Sequence, residues 1–294
     1  MTNGGLTIGC AGAGILGSAI ARRLLESGFS VGVWNRDRAK LSPLVELGAT
    51  PADTPADLTT AHDMVLTCVT GGEAVEAIVF GADGVATSGA SEKLLIDMST
   101  SDAGHTRDMA ARLRDACGMG WLDAPISGGA PAALEGRMAV MVGGAEADFQ
   151  RARPLWDALA GRCTLMGPNG AGQTTKMINQ ILVSCTFALL AEACGLAEKA
   201  GVDATRIPHA LQGGRADSRL LQEFMPKMAK SEFSVEGTVA IMMKDLHMIR
   251  DLANKFGLAI PITANVAERY QKMIDDGLAD RDCSELVTLY RAVD

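Results

Sequence analysis

Apolar residues in the first half of the chain fall into short runs, separated by stretches where they recur every three or four positions. The runs at 6–10, 30–34, 64–69 and 94–98 are bounded by Gly, Asp or Ser and predict buried strands. The stretches 15–27, 73–80 and 103–116 carry helical spacing. Strand and helix in alternation predict a parallel, doubly wound α/β sheet. Two further strand-like runs, 138–142 and 163–166, flank a helical stretch at 145–159. From Gly170 onward the texture changes. Residues 173–200 predict one helix of about 28 residues, roughly 42 Å long at 1.5 Å per residue. Later helices are expected to begin near Asp203, Ser218, Val235, Pro261 and Asp282, with no strand among them. The break Gly167-Pro168-Asn169-Gly170 places the boundary. The expected architecture is an α/β domain over 1–168 and an all-helical domain over 169–294, with the long helix between them.

Composition narrows the function classes. The 294 residues leave room for about two domains. A net charge of −8 argues against non-specific nucleic-acid binding, and 4% aromatic residues argue against a base-stacking platform. The longest apolar run, 181–190, is interrupted by Ser184 and Thr186, so no membrane partner is expected. Seven cysteines without a C-x-x-C pair suggest a reducing compartment and supply no metal-ligand set. The N-terminus has no basic segment before its first apolar run, and a cytoplasmic location is expected.

The glycine pattern Gly12-x-Gly14-x-x-Gly17 lies where a strand gives way to a helix. Such a junction suits a dinucleotide: the first glycine permits the turn, the second admits a pyrophosphate, and the third lets helix and strand pack closely. The expected cradle is the backbone of Gly12, Ala13, Gly14, Ile15, Leu16 and Gly17. The second strand ends in Asn35-Arg36, where an NAD site commonly carries Asp or Glu. Losing that carboxylate and gaining a guanidinium favours the 2′-phosphate of NADP over NAD. Val69 and Thr70 end another strand at the same edge, and Ser99-Thr100 follows a third. Thr100 is a candidate for the nicotinamide carboxamide.

Three more motifs carry a resemblance. Asp123-Ala124-Pro125-Ile126-Ser127-Gly128-Gly129, Gly170-x-Gly172-x-x-x-Lys176-x-x-Asn179-Gln180 and Lys244-Asp245-Leu246 follow the nucleotide motif in order across almost the whole chain. Together they resemble the β-hydroxyacid dehydrogenases, a family that includes 3-hydroxyisobutyrate dehydrogenase, tartronate semialdehyde reductase and, more distantly, 6-phosphogluconate dehydrogenase. The resemblance implies a Rossmann-type domain followed by a helical one. It also implies reversible hydride transfer between a nicotinamide and a short 3-hydroxy or 3-oxo acid. Lys176 would then be the general acid or base, Ser127, Gly128 and Gly129 the carboxylate anchor, and Lys244 a cofactor-side lysine. The Asn179-Gln180 pair is closer to the tartronate semialdehyde reductases, and the Pro expected after Ser99-Thr100 is missing.

The residues make chemical sense on their own terms. Reducing an aldehyde needs one group that moves a proton, and burial can lower a lysine's pKa toward working pH. Asn179 and Gln180 lie at i+3 and i+4 from Lys176, on one helical face, where they can bond a substrate hydroxyl or carboxylate. Ser127 and the two glycines offer a hydroxyl and successive N–H groups to an anion. One-sided apolar helices in the second half suggest a homodimer or homotetramer. Two rivals share the nucleotide motif: an imine reductase of related architecture, against which Lys176 speaks, and a nucleotide-binding regulatory module without catalysis.

Overall fold

The computed structural model describes residues 5–291. Among them nine strands form a single sheet: β1 (Thr7–Ala11), β2 (Ser30–Trp34), β3 (Thr50–Pro51), β4 (Met64–Thr67), β5 (Leu94–Asp97), β6 (Gly120–Asp123), β7 (Ile126–Ser127), β8 (Met138–Gly143) and β9 (Ala160–Gly167). The first six run parallel in the order β3-β2-β1-β4-β5-β6. The order reverses between β1 and β4, which opens a crevice at their carboxyl ends.

Alternation along the strands explains the two-sided sheet. Met64 and Leu66 of β4 enter one hydrophobic cluster while Val65 enters another, and Leu94 and Ile96 of β5 split from Leu95 in the same way. Burying each such side chain contributes about 1.5–3 kcal/mol. The helix Ile15–Glu26 covers the first face through Ile20 and Leu24. The helices Pro55–Ala61, Gly72–Phe80 and Ala103–Cys117 cover the second through Leu58, Val75 and Leu113.

Three features depart from the sequence expectation. The sheet is not wholly parallel: β8 runs antiparallel to β6 and β7, and β9 then runs parallel to β8. β6 and β7 lie along β8 with a break at Ala124-Pro125, where proline has no N–H for the ladder. The stretch 145–159 is two helices, Glu146–Arg151 and Arg153–Leu159, because Pro154 is tolerated only in a first turn.

The chain divides into two compact units, one ending at Lys176 and the other beginning at Met177, inside the long helix Ala171–Lys199. The second unit contains the helices Ile207–Leu211, Arg219–Lys230, Val239–Lys255 and Pro261–Asp275. Ser218 and Thr238 cap two of them, each side-chain oxygen accepting a backbone N–H. The helix expected from Val235 starts after Thr238 instead, because the Asp282 carboxylate takes the N–H groups of Glu236 and Gly237. Asp282 also caps Cys283–Tyr290, which is 3-10 rather than α-helical. By length and composition the long helix could cross a membrane, yet half of its most apolar window is buried within the protein. Phe187, Ala191 and Cys194 pack there with Phe224, Met225 and Leu286.

Candidate active site

The crevice is built on the glycine turn. Gly12 has φ +114°, and a Cβ there would lie 2.4 Å from the Cys68 carbonyl oxygen. At Gly17 a Cβ would lie 2.2 Å from the Gly12 oxygen. Both glycines are therefore demanded by the protein itself. Gly14 is different: its φ is −76°, and nothing lies within 4 Å of the position a Cβ would take. That open space, at the N-terminus of a 12-residue helix with no side-chain cap, fits a pyrophosphate approaching the backbone. Ile15 is exposed and Leu16 half-buried beside it. Cys10, on β1 beneath the turn, is buried, and burial pushes its thiol up to about 12.

At the end of β2, the Ala13 N–H donates to Asn35 Oδ1 at 3.0 Å, and Asn35 Nδ2 donates to the Asp37 carbonyl at 2.8 Å. Asn35 thus ties two loops together. Arg38 is held by Asp53, whereas Arg36 is exposed and makes no ion pair among the described residues.

A buried polar network underlies the ends of β4, β5 and β6. Asp97 and Asp123 are register neighbours at the carboxyl edge, both fully buried. Asp97 Oδ1 accepts from the Thr67 hydroxyl at 2.9 Å and from the Ser99 N–H at 3.0 Å. Ser99 Oγ in turn accepts the Val69 N–H at 3.0 Å, so the two strand-end loops are joined. Asp123 accepts the N–H groups of Gly170 (2.8 Å) and Gln173 (3.0 Å), which caps the long helix with a carboxylate. The Asn169 side chain adds a bond to the Trp121 carbonyl at 2.7 Å. Gln173 is fully buried; its Nε2 donates to the Ser99 carbonyl at 2.8 Å and its Oε1 accepts the Ser101 N–H at 3.1 Å. Lys176, one turn further along, is 9% exposed. Thr100 is half-buried between the two bonded residues, and Thr70 is exposed at the neighbouring strand end.

Burial pushes Asp97 up to about 6 from its ordinary 3.8, opposed by its bonds to Ser99 and Thr67, while its second oxygen has no partner. Burial also raises Asp123, against the pull of the Gly170 and Gln173 N–H groups. The raised value sets the sign of a stability change. Above pH 6 Asp97 is ionised in both states, and the native state carries a cost of roughly 3 kcal/mol. Between pH 6 and about 4 the native state takes up the proton first and that cost disappears. Asp97→Asn removes the titration and keeps an acceptor for Thr67 and Ser99. Denaturant unfolding from pH 7.5 to 4 should show wild type gaining on the variant by up to roughly 3 kcal/mol as pH falls. Parallel stability curves would contradict the buried titration.

In the second unit, Gln180 Nε2 donates to Asp245 Oδ2 at 2.6 Å, and Asn179 Nδ2 donates to Gln180 Oε1 at 2.9 Å. Lys244 Nζ lies 3.4 Å from the other Asp245 oxygen and is half-exposed. The structure therefore gathers Asn179, Gln180 and Lys244 around a buried Asp245. Ser127 ends β7, and Gly128 and Gly129 follow with φ +114° and +62° before the short helix Gly129–Leu134.

Residues 7–167 match the family described as the NAD binding domain of 6-phosphogluconate dehydrogenase. Residues 170–290 match the NAD-binding domain of NADP-dependent 3-hydroxyisobutyrate dehydrogenase. A 2-hydroxy-3-oxopropionate reductase of Escherichia coli K12 is 35% identical over 282 residues, covering 96% of each chain. The chain belongs to the β-hydroxyacid dehydrogenase family. An L-threonate dehydrogenase of Cupriavidus necator is 30% identical over 98% of this chain and 97% of its own. A 3-hydroxyisobutyrate dehydrogenase of Mycobacterium tuberculosis, solved with L-serine, superposes with a TM-score of 0.88 at 28% identity, covering 98% and 99% of the two chains.

As a member of that family, the protein is an NAD(P)-dependent hydroxyacid dehydrogenase, which separates it from a non-catalytic nucleotide-binding module. Asp97, Asp123, Gln173 and Asp245 were not singled out as site residues by sequence reasoning, although three of them lie inside quoted motifs. The available signal was an aspartate closing an apolar run, as in Leu94-Leu95-Ile96-Asp97, because aspartate is depleted from strands.

Proposed function

We propose that this dehydrogenase reduces a short 3-oxo acid of the tartronate semialdehyde type, with NADPH preferred, and that Lys176 moves the proton. The observation that carries the reading is the first turns of the long helix. There Gln173 is bonded to the loop after β5, and the buried Lys176 follows one turn later. The 35% identity to a reductase of matched length supports the substrate class, as does the Asn179-Gln180 pair.

The nicotinamide cofactor, when bound, supplies the hydride to the carbonyl carbon. The turn from Gly12 to Gly17 would hold the pyrophosphate on backbone N–H groups, with the positive end of the helix Ile15–Glu26 behind it. The loop after β4, with Val69 and Thr70, and the loop after β5, with Thr100, would hold the nicotinamide between them, and the Val69–Ser99 bond joins the two. Ser127, Gly128 and Gly129 bond the substrate carboxylate. The Lys176 ammonium delivers its proton to the oxygen on which negative charge develops, and takes it back in the reverse direction. Asn179 orients the substrate, while Gln180 and Lys244 are steadied by Asp245. Leu182, Leu189 and Leu196 are exposed at seven-residue intervals on the long helix, which supports a homodimer or homotetramer.

The cofactor preference rests on Arg36, the guanidinium at the β2 end that no carboxylate holds. Wild type should reduce tartronate semialdehyde with a higher kcat/KM for NADPH than for NADH. Arg36→Ala should lower the NADPH value about five- to a hundredfold, the worth of one charge-assisted contact at a partly exposed rim, and leave NADH nearly unchanged. Steady-state assays with both cofactors check this. A wild type that prefers NADH, or an unchanged ratio in the variant, would remove the NADP assignment. A wild type active on imines but not on short oxo acids would remove the substrate class.

A further inference from the structure

We infer that Gln173 is a positioning residue for hydride transfer: its side-chain amide fixes Thr100 and so couples the nicotinamide loop to the helix turn that carries Lys176. The inference rests on the functional reading above for the roles of Thr100 and Lys176.

The geometry is specific. Nε2 donates to the carbonyl of Ser99, and Oε1 accepts from the N–H of Ser101, at 2.8 and 3.1 Å. In a parallel ladder the N–H and C=O of one residue bracket a residue of the neighbouring strand in the same way, bonding the carbonyl before it and the N–H after it. Here the bracketed residue is Thr100. The backbone N–H of Gln173 donates to Asp123 at 3.0 Å, so the helix turn is fastened to β6 at the same point. Ser99 is held from below by Asp97 and bonds the Val69 N–H through its hydroxyl. One buried amide therefore joins the loops after β4 and β5 to the long helix, three residues before Lys176. Asparagine would be too short to reach both partners, and a carboxylate would turn an acceptor toward the Ser99 carbonyl. A misplacement of about 1 Å between donor carbon, acceptor carbon and proton source lowers a rate by about a hundredfold in the sensitive case.

Three variants of the full enzyme test this, assayed with NADPH and tartronate semialdehyde. Gln173→Met keeps the shape and loses both bonds. It should lower kcat at least about tenfold and change the KM for the substrate by less than about threefold. Gln173→Ala should behave likewise. Gln173→Glu should be as slow at pH 8 and recover toward wild type as pH falls to 6. A protonated carboxyl again presents a donor to Ser99 and an acceptor to Ser101. The titratable and charged groups near the amide include Asp97, which holds Ser99, Asp123, which takes the Gln173 N–H, Lys176 on the same helix, and His105 and Arg107 on the helix Ala103–Cys117 beside Ser101 and Gly170. Each variant rate is therefore taken as a ratio to wild type at the same pH, over enzyme counted by active-site titration.

Recovery of the Gln173→Glu ratio at low pH, absent in Gln173→Met, supports the coupling even if one variant folds poorly. A flat ratio, or a kcat within twofold of wild type in Gln173→Met, overturns it. Failure of the functional reading looks different: Lys176→Met would then keep wild-type turnover while the pH recovery at position 173 still occurred.

Discussion

Lys176→Met is expected to lower kcat by at least about a hundredfold while NADPH binding stays within about threefold, the low end for losing general acid–base help. The side chain is 9% exposed on a turn whose neighbours are fixed by Asp123 and Gln173. Methionine follows the lysine stem in length and suits a buried helical position, so the backbone has no reason to move. The fingerprint glycines proposed to receive the pyrophosphate lie in a separate turn of the chain. Stopped-flow hydride transfer and a fluorescence titration of NADPH separate chemistry from binding. Wild-type turnover in the variant would mean that another group moves the proton.

Gly14→Val should produce a comparably large effect on a different quantity. The position has ordinary φ and ψ, −76° and −178°, and open space where a side chain would project. The fold should tolerate valine, with a melting temperature lowered by no more than about 4 °C for a weaker helix cap of about 1 kcal/mol. NADPH affinity should fall by about a hundredfold or more, roughly 2.7 kcal/mol, because the new methyl groups fill the approach to the helix N-terminus. Gly17→Val is the contrast, since its Cβ would meet the Gly12 oxygen at 2.2 Å and the protein itself should unfold. Wild-type NADPH affinity in a folded Gly14→Val variant would place the dinucleotide elsewhere.

Much of this was legible in the sequence because the signals are local. Apolar runs such as 64–69 and 94–98 announce central strands, and Ser218 announces a helix start. β6 was not legible, since Gly-Trp-Leu-Asp is too short for any period to emerge and becomes a strand only by pairing with β5. The site divides along the same line. Glycines that shape a turn act on their neighbours in sequence, and their pattern shows. Asp97, Asp123 and Gln173 act on partners as distant as 74 residues, and one amide among many carries no mark of that. Asn35 and Gln180 were legible as polar residues in telling positions, but their partners, Ala13 with Asp37 and Asp245, belong to the folded chain alone.

The double tie at Asn35 constrains how this lineage could exchange one coenzyme for the other. Its oxygen receives the Ala13 N–H and its nitrogen serves the Asp37 carbonyl. An aspartate there would keep the first bond and set two oxygens against each other at the second. The familiar acidic substitution at this strand end is therefore a step downhill in fitness unless the 36–38 turn changes beforehand. Position 36 carries no such debt. Drift in coenzyme usage is expected to begin at the exposed arginine and reach the doubly bonded amide last, which gives the order of events a direction that the residues' chemistry alone would not.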